Sequence, residues 1–339
     1  MCATRTVRGD VIIVDVFPRD GLQTLLHEPQ LHPLTTGEKV RVIQALDSCG
    51  VPEIEVTGFV HPRVIPSLAD AEEVVAGVLA RPHRAVLRAL VPNFRGAQRA
   101  VAAGMEKVSC LIVASETYGR LNSNMSVQQN LDQIERIVHL AGERGVSVDV
   151  SIGTSFICPY EGVMAEAAIL HIVEHVVNLG VGEVKLADSI GMAWPTLVRQ
   201  RCRAVLDRFP EVTLGLHLHT LGGMALANAF VAYEAGARSF DGSVGGIGGG
   251  IAMPVHTTDM GNVATEDLAF LFESCGVETG IDLPAIAALG REMERRIGTG
   301  RSAASSFGTL EDFLAANRER LQVVSEAPPG NSRRGAEAR

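Results

Sequence analysis

The sequence predicts an α/β protein, a (β/α)8 barrel with extra C-terminal helices, and three observations carry that prediction. Eight buried-strand signals alternate with helical segments, many of those helices end in glycine just before the next strand, and 339 residues that are 46% hydrophobic can bury one large core. Strict alternation demands parallel strands with right-handed crossovers, and eight units match the number that closes a barrel. A doubly wound open sheet is the competing topology, but no G-x-G-x-x-G follows the first strand, which weakens its dinucleotide-binding form.

The first strand is Val11–Phe17, β-branched and stopped by Pro18. Further strand signals lie at Glu53–Phe59, Ala85–Val91, Val108–Ala114, Val146–Gly153, Glu183–Ala187, Thr213–His219 and Ser239–Val244. Helical periodicity fills the intervals: Thr35–Cys49, Asp70–Leu79, Phe94–Ala103, Val127–Arg144, Ala165–Leu179, Pro195–Phe209, Met224–Ala235 and Glu266–Cys275. Gly50, Gly104, Gly145, Gly180 and Gly236 stand where a helix needs a left-handed C-cap. Beyond the eighth unit, Pro284–Ile297 and Leu310–Leu321 have helical patterning. We expect a barrel domain over residues 1–280, a helical extension packed on it over 281–323, and a disordered polar tail over 324–339.

Composition narrows the function classes. A net charge of −9, with no run of Lys and Arg mixed with aromatics, argues against nucleic acid as a partner. Six scattered cysteines without a C-x-x-C pair suit reduced thiols better than a disulfide framework or a zinc site. No signal-like apolar segment opens the sequence, and no run of about 18 apolar residues follows. The expectation is a cytoplasmic enzyme with a small-molecule substrate, no membrane association and a homo-oligomeric state.

Three motifs carry chemistry. His217-Leu218-His219 closes the seventh strand, and i, i+2 spacing puts both imidazoles on one face, at the barrel end where active sites form. Pro18-Arg19-Asp20-Gly21-Leu22-Gln23 ends the first strand; an Arg beside an Asp is commonly a local ion pair, yet strands one, seven and eight are neighbours at closure, so Asp20 can meet the histidines. Such an oxygen-and-nitrogen set suits Mg²⁺ or Mn²⁺. After the eighth strand, Gly245-Gly-Ile-Gly-Gly-Gly250 leads to Met253-Pro254 and Asn262, a substrate loop followed by an amide oxygen for the metal.

Together with Cys158-Pro-Tyr-Glu-Gly162, Asp188-Ser-Ile-Gly191 and Gly261-Asn262-Val-Ala-Thr-Glu-Asp267, these motifs resemble the 3-hydroxy-3-methylglutaryl-CoA lyase family from about Val11 to Gly280. The resemblance implies a divalent-metal-dependent carbon–carbon lyase acting on a 3-hydroxyacyl-CoA or related hydroxy acid. It assigns Asp20, His217, His219 and Asn262 as metal ligands, Arg19 as the cation holding the enolate oxygen, and Glu55 and Asp188 as acidic residues lining the site. A metal that binds the substrate's hydroxyl and carbonyl oxygens makes the alcohol more acidic, and a base then starts a retro-aldol or retro-Claisen cleavage.

Two positions depart from the family pattern. The cysteine that ends the family's glycine-rich loop is replaced by Gly250 or Met253, depending on the side from which the loop is aligned, and the loop is three residues longer. The Asp that follows the family's histidine pair is Thr220. A different acyl group or proton donor is therefore expected, with His256 in the lengthened loop as the candidate acid. The alternatives are a Claisen-type synthase joining an acyl-CoA to a keto acid, and a non-catalytic relative that keeps the barrel.

Overall fold

The computed structural model describes residues 10–23, 33–249, 261–300, 302–304 and 315. Eight parallel strands close into a barrel, each paired with the next in sequence and the last with the first: β1 (Ile12–Asp15), β2 (Glu53–Gly58), β3 (Val86–Val91), β4 (Lys107–Val113), β5 (Ser147–Gly153), β6 (Glu183–Asp188), β7 (Thr213–Leu218) and β8 (Ser239–Gly242). The open sheet is excluded by the β1–β8 register, Ile12 opposite Ser239 through Asp15 opposite Gly242.

Helices form the outer ring. They are α1 (Thr36–Ser48), α2 (Ala71–Leu79), α3 (Phe94–Ala102), α4 (Glu116–Ser123), α5 (Val127–Arg144), α6 (Glu166–Asn178), α7 (Pro195–Arg208), α8 (Ala225–Glu234), α9 (Thr265–Ser274) and α10 (Leu283–Ile297). Side-chain chemistry sets where they begin: Thr35 and Ser126 close capping boxes with Glu38 and Gln129. The glycines at positions 50, 104, 145, 180 and 236 all have positive φ, as their C-cap role requires. Helix α10 buries Ile286, Leu289, Met293 and Ile297 against α9 and the Val244–Gly246 turn at the barrel mouth. The second extension helix, Leu310–Leu321, and the 324–339 tail lie outside the described residues.

Two elements escaped the periodicity. Helix α4 is short and carries a Gly, and a hairpin of Ile157–Cys158 with Gly162–Val163 folds over the β5–α6 loop. No helix among the described residues is long and apolar enough to cross a membrane.

The hydrophobic core is the shell between sheet and helices: Ile54, Val108, Ile112, Val150, Leu186 and Leu216 point outward into it and are almost wholly buried. Alternation then sends the intervening residues inward, and these are polar. Where barrels of this kind usually stack branched aliphatics, this one stacks Glu53, Glu55, Arg88, Lys107, Asp149, Glu183, Lys185 and Asp241.

Candidate active site

At the end of β1 the chain tightens into one π-turn, Phe17–Gly21, in which the Val16 carbonyl accepts the N–H groups of Arg19, Asp20 and Gly21. Pro18 sits in its first turn, where a missing N–H costs nothing. Gly21 is required by close approach, since a Cβ there would lie 2.8 Å from the Phe17 ring and 3.3 Å from the Ile247 carbonyl. Asp15 ties the turn to the neighbouring strand end: its carboxyl accepts from Phe17 N, Val244 N and Thr265 Oγ1, and burial pushes its pKa up to about 7.

This turn delivers Asp20 to the histidines. Metal-ligating atoms of Asp20, His217 and His219 lie within 4.8 Å of one another. Across the β7–β8 loops, His219 bridges to Asn262, whose Nδ2 donates to Asp20 Oδ2 at 2.6 Å. His219 Nδ1 lies 2.8 Å from the Ser189 carbonyl and His217 Nδ1 3.2 Å from Asp241 Oδ2. A carbonyl and a carboxylate can only accept, so both Nδ1 atoms carry a proton, and in the neutral imidazoles both Nε2 atoms present lone pairs. Those two lone-pair nitrogens face each other at 3.2 Å.

That arrangement fits a cation. Two neutral imidazole nitrogens that both present lone pairs repel unless a cation or a proton sits between them, and among the described residues the buried Asn262 Oδ1 atom has no hydrogen-bond partner. Charge agrees with the geometry. Among the described residues, the connected ion network that fills the barrel holds six carboxylates (Asp20, Glu53, Glu55, Asp149, Glu183, Asp241) against four cations (Arg19, Arg88, Lys107, Lys185), an excess of two negative charges when both histidines are neutral. One divalent ion at the mouth balances it.

Electrostatics sort the carboxylates into roles. Burial alone would raise the pKa of Asp20, but the Arg19 guanidinium and the two imidazoles outweigh it and hold the acid well below its usual range. So strongly ionised a group is a good ligand and a poor base. Asp241 is likewise kept ionised, against burial, by Arg88 and Lys185. Burial lowers the His219 pKa, yet Asp20 more than compensates and the net shift is upward.

Arg19 stands beside this cluster, its Nη1 2.5 Å from Asp20 Oδ1 and its Nε bonded to Glu55 Oε2. The local ion pair and the functional position are therefore both present. The mouth opens into a cavity of about 480 Å³ with two unlike walls. Arg19, Asp20, His217 and His219 make the polar wall; Ile65, Leu90, Leu111, Val113, Tyr118 and Met125 are among the residues that make the other.

The structure thus brings together Arg19, Asp20, His217, His219 and Asn262. Glu55 lies behind Arg19, fully buried, and reaches the cavity only through it. Asp188 turns into its own loop, accepting the N–H groups of Met192 and Ala193, while Ala187 and Ser189 form the cavity wall. His256, Gly250 and Met253 lie outside the described residues. Sequence reasoning missed Asp241, Lys185 and Arg88, and it gave Gln23 no role, although Gln23 Nε2 donates to both Asp20 Oδ1 and the Gly249 carbonyl. A signal existed: Arg88, Lys185 and Asp241 are charges inside runs that otherwise read as buried strands.

A parallel barrel with an acid, two histidines and an amide converging beside an arginine defines a barrel enzyme with a candidate metal site. A family model described as HMGL-like matches residues 10–292. The (R)-citramalyl-CoA lyase of Chloroflexus aurantiacus is 40% identical over 306 residues, covering 85% of this chain and 94% of that one. The mitochondrial hydroxymethylglutaryl-CoA lyase of Bos taurus is 36% identical over 285 residues, covering 84% and 85%. Among solved structures, an HMG-CoA lyase from Acinetobacter baumannii in complex with coenzyme A and 3-methylmalate superposes with a TM-score of 0.82 at 34% identity, over 91% of this chain and 98% of that one. The chain belongs to the HMGL-like family, and with it to the carbon–carbon lyases.

Proposed function

We propose that this protein is a divalent-metal-dependent lyase that cleaves the C2–C3 bond of a 3-hydroxyacyl-CoA bearing a methyl group and a carboxylate at C3, of the citramalyl-CoA type in preference to 3-hydroxy-3-methylglutaryl-CoA. The observation that carries the metal site is the convergence of the two histidine Nε2 atoms on each other beside Asp20, with a buried Asn262 oxygen that has no partner among the described residues. The substrate preference is supported by the 40% identity to the citramalyl-CoA lyase and by the departures in the glycine-rich loop.

Asp20, His217, His219 and Asn262 would hold Mg²⁺ or Mn²⁺, which when bound supplies Lewis-acid polarisation of the substrate's hydroxyl and carboxylate oxygens. The hydroxyl proton passes to a general base, the O–H electrons form the C3 carbonyl of the ketone, and the electrons of the C2–C3 bond pass into the thioester as an enolate. Arg19, a permanent cation held by Glu55 and Asp20, is placed to take the charge that develops on the enolate oxygen. Protonation at C2 then yields the shorter acyl-CoA. His256 is the donor we assign to that step in place of the family's cysteine.

Incubating the Mn²⁺-loaded protein with (R)-citramalyl-CoA should give acetyl-CoA and pyruvate, faster than 3-hydroxy-3-methylglutaryl-CoA gives acetyl-CoA and acetoacetate. Equal or inverted rates overturn the substrate preference, and silence with both overturns the lyase reading of the site. Replacing His256 by Ala should slow turnover by roughly 10²-fold or more; an unchanged rate removes His256 from the mechanism.

A further inference from the structure

The charged core beneath the mouth converges on Arg88. This side chain is fully buried among four carboxylates, Glu53 and Asp149 on its Nη1 side and Glu55 and Asp241 on its other edge, and the last two belong to different parts of the site. Its Nη2 donates to both oxygens of Asp241 at 3.1 Å, and its Nε forms an ion pair with Glu55 Oε1 at 3.3 Å that lacks hydrogen-bond alignment. Each carboxylate also reaches a mouth residue: Glu55 Oε2 binds Arg19 Nε, and Asp241 Oδ2 accepts from His217 Nδ1. The strands are shaped for this. Glu55 pairs in register with Arg88, just before the β2–β3 register slips at Thr57, and Asp241 pairs in register with His217.

We propose that Arg88 is a positioning residue whose planar fork fixes Glu55 and Asp241 relative to each other, and so aligns Arg19 with the metal-ligating face of His217. The inference rests on the roles given above to Arg19 and His217. Charge cancellation alone does not require this residue type, because Lys185 also neutralises Asp241 at 2.7 Å. The other carboxylate near Lys185, however, is Glu183, away from the mouth. A guanidinium offers two ends in one rigid plane, where an ammonium offers a single point charge.

The test keeps the charge and removes the fork. Arg88→Lys should bind Mn²⁺ about tenfold to a hundredfold more weakly in a calorimetric titration, the loss typical when a partner of a metal-bound histidine goes slack. Because Arg88 acts through Asp241, the Arg88→Lys/Asp241→Asn double variant should bind Mn²⁺ no more weakly than Asp241→Asn alone. On the other arm, kcat on (R)-citramalyl-CoA should fall no further in Arg88→Lys/Glu55→Gln than in Glu55→Gln. Additive losses on either arm, or an Arg88→Lys protein within threefold of wild type in both readouts, would overturn the proposal. Should Arg88→Lys fail to fold, the charge-compensated pair Arg88→Met/Asp149→Asn takes its place, and wild-type Mn²⁺ affinity in that protein refutes the positioning role. Undiminished Mn²⁺ binding by His217→Ala would instead overturn the metal site itself, and the positioning role with it.

Discussion

Gly248 gives the most direct test of the site's geometry, because it forms the roof over two of the four presumptive ligands. Its φ of +134° lies where residues with a side chain are strained by about 1–3 kcal/mol. A Cβ there would also overlap the Asn262 amide nitrogen and stand 3.0 Å from Asp20 Oδ2. Relieving the overlap requires Asn262 to swing away, at an overpacking cost of about 1–3 kcal/mol. The swing breaks the 2.6 Å bond that orients Asp20, so two ligands move for one added methyl. Gly248→Ala should therefore fold with a lowered melting temperature and bind Mn²⁺ at least about a hundredfold more weakly, the upper end of the cost of losing an outer partner. Calorimetric Mn²⁺ titration beside a thermal melt measures both. A protein that melts lower yet keeps wild-type Mn²⁺ affinity would show that Asn262 and Asp20 do not hold the ion, and would refute the ligand set.

Two further outcomes follow from buried acids near the mouth. Glu266 receives the Gly245 N–H at the root of the glycine-rich loop, and burial pushes its carboxyl from 4.5 up to about 8. The folded state holds this proton more tightly than the unfolded chain does, so the contribution is complete below about pH 4.5 and is lost as pH rises towards 8, by up to about 5 kcal/mol. Glu266→Gln should flatten that decline in denaturant melts between pH 5 and 9, and parallel curves for the two proteins would sink the assignment. Asp188→Asn weakens the bonds from Met192 and Ala193 that shape the loop carrying the Ser189 carbonyl, so it should cost about 1–3 kcal/mol and loosen Mn²⁺ binding through His219. An unchanged melt with turnover abolished would make Asp188 a proton-transfer residue instead.

Most of the barrel was legible because one physical rule governs it: strands buried on both faces are dense in β-branched residues, and the helices between them end on glycine. Boundaries shifted by a residue or two, as at β1, where Val16 and Phe17 leave the strand for the π-turn. The meeting of Asp20 with His217 and His219 was legible too, since it needs only closure between the first and last strands. What could not be read was direction. Nothing in Asp188-Ser-Ile-Gly191 says that the carboxylate folds back onto its own loop, and nothing in Glu53-Ile-Glu55 says that the second acid stops short of the cavity behind Arg19. Those outcomes depend on a β-bulge and on backbone N–H groups, neither of which has a side-chain signature.

The charged interior explains why the overlooked residues matter. Replacing a buried ion network by close-packed aliphatics is commonly neutral or stabilising, so Arg88, Lys107 and Lys185 inside a barrel are not there because stability demands them. What they do supply is fixed orientation at a site that must present lone pairs and a cation in set positions before substrate arrives. The lower cation, Lys107, anchors the network at the strand starts with Glu53 and Glu183, and Arg88 and Lys185 carry it upward to Asp241. Filling the same interior with leucine and valine would preserve the barrel and leave His217 free to rotate, and with that the tautomer that presents its Nε2 lone pair would no longer be set.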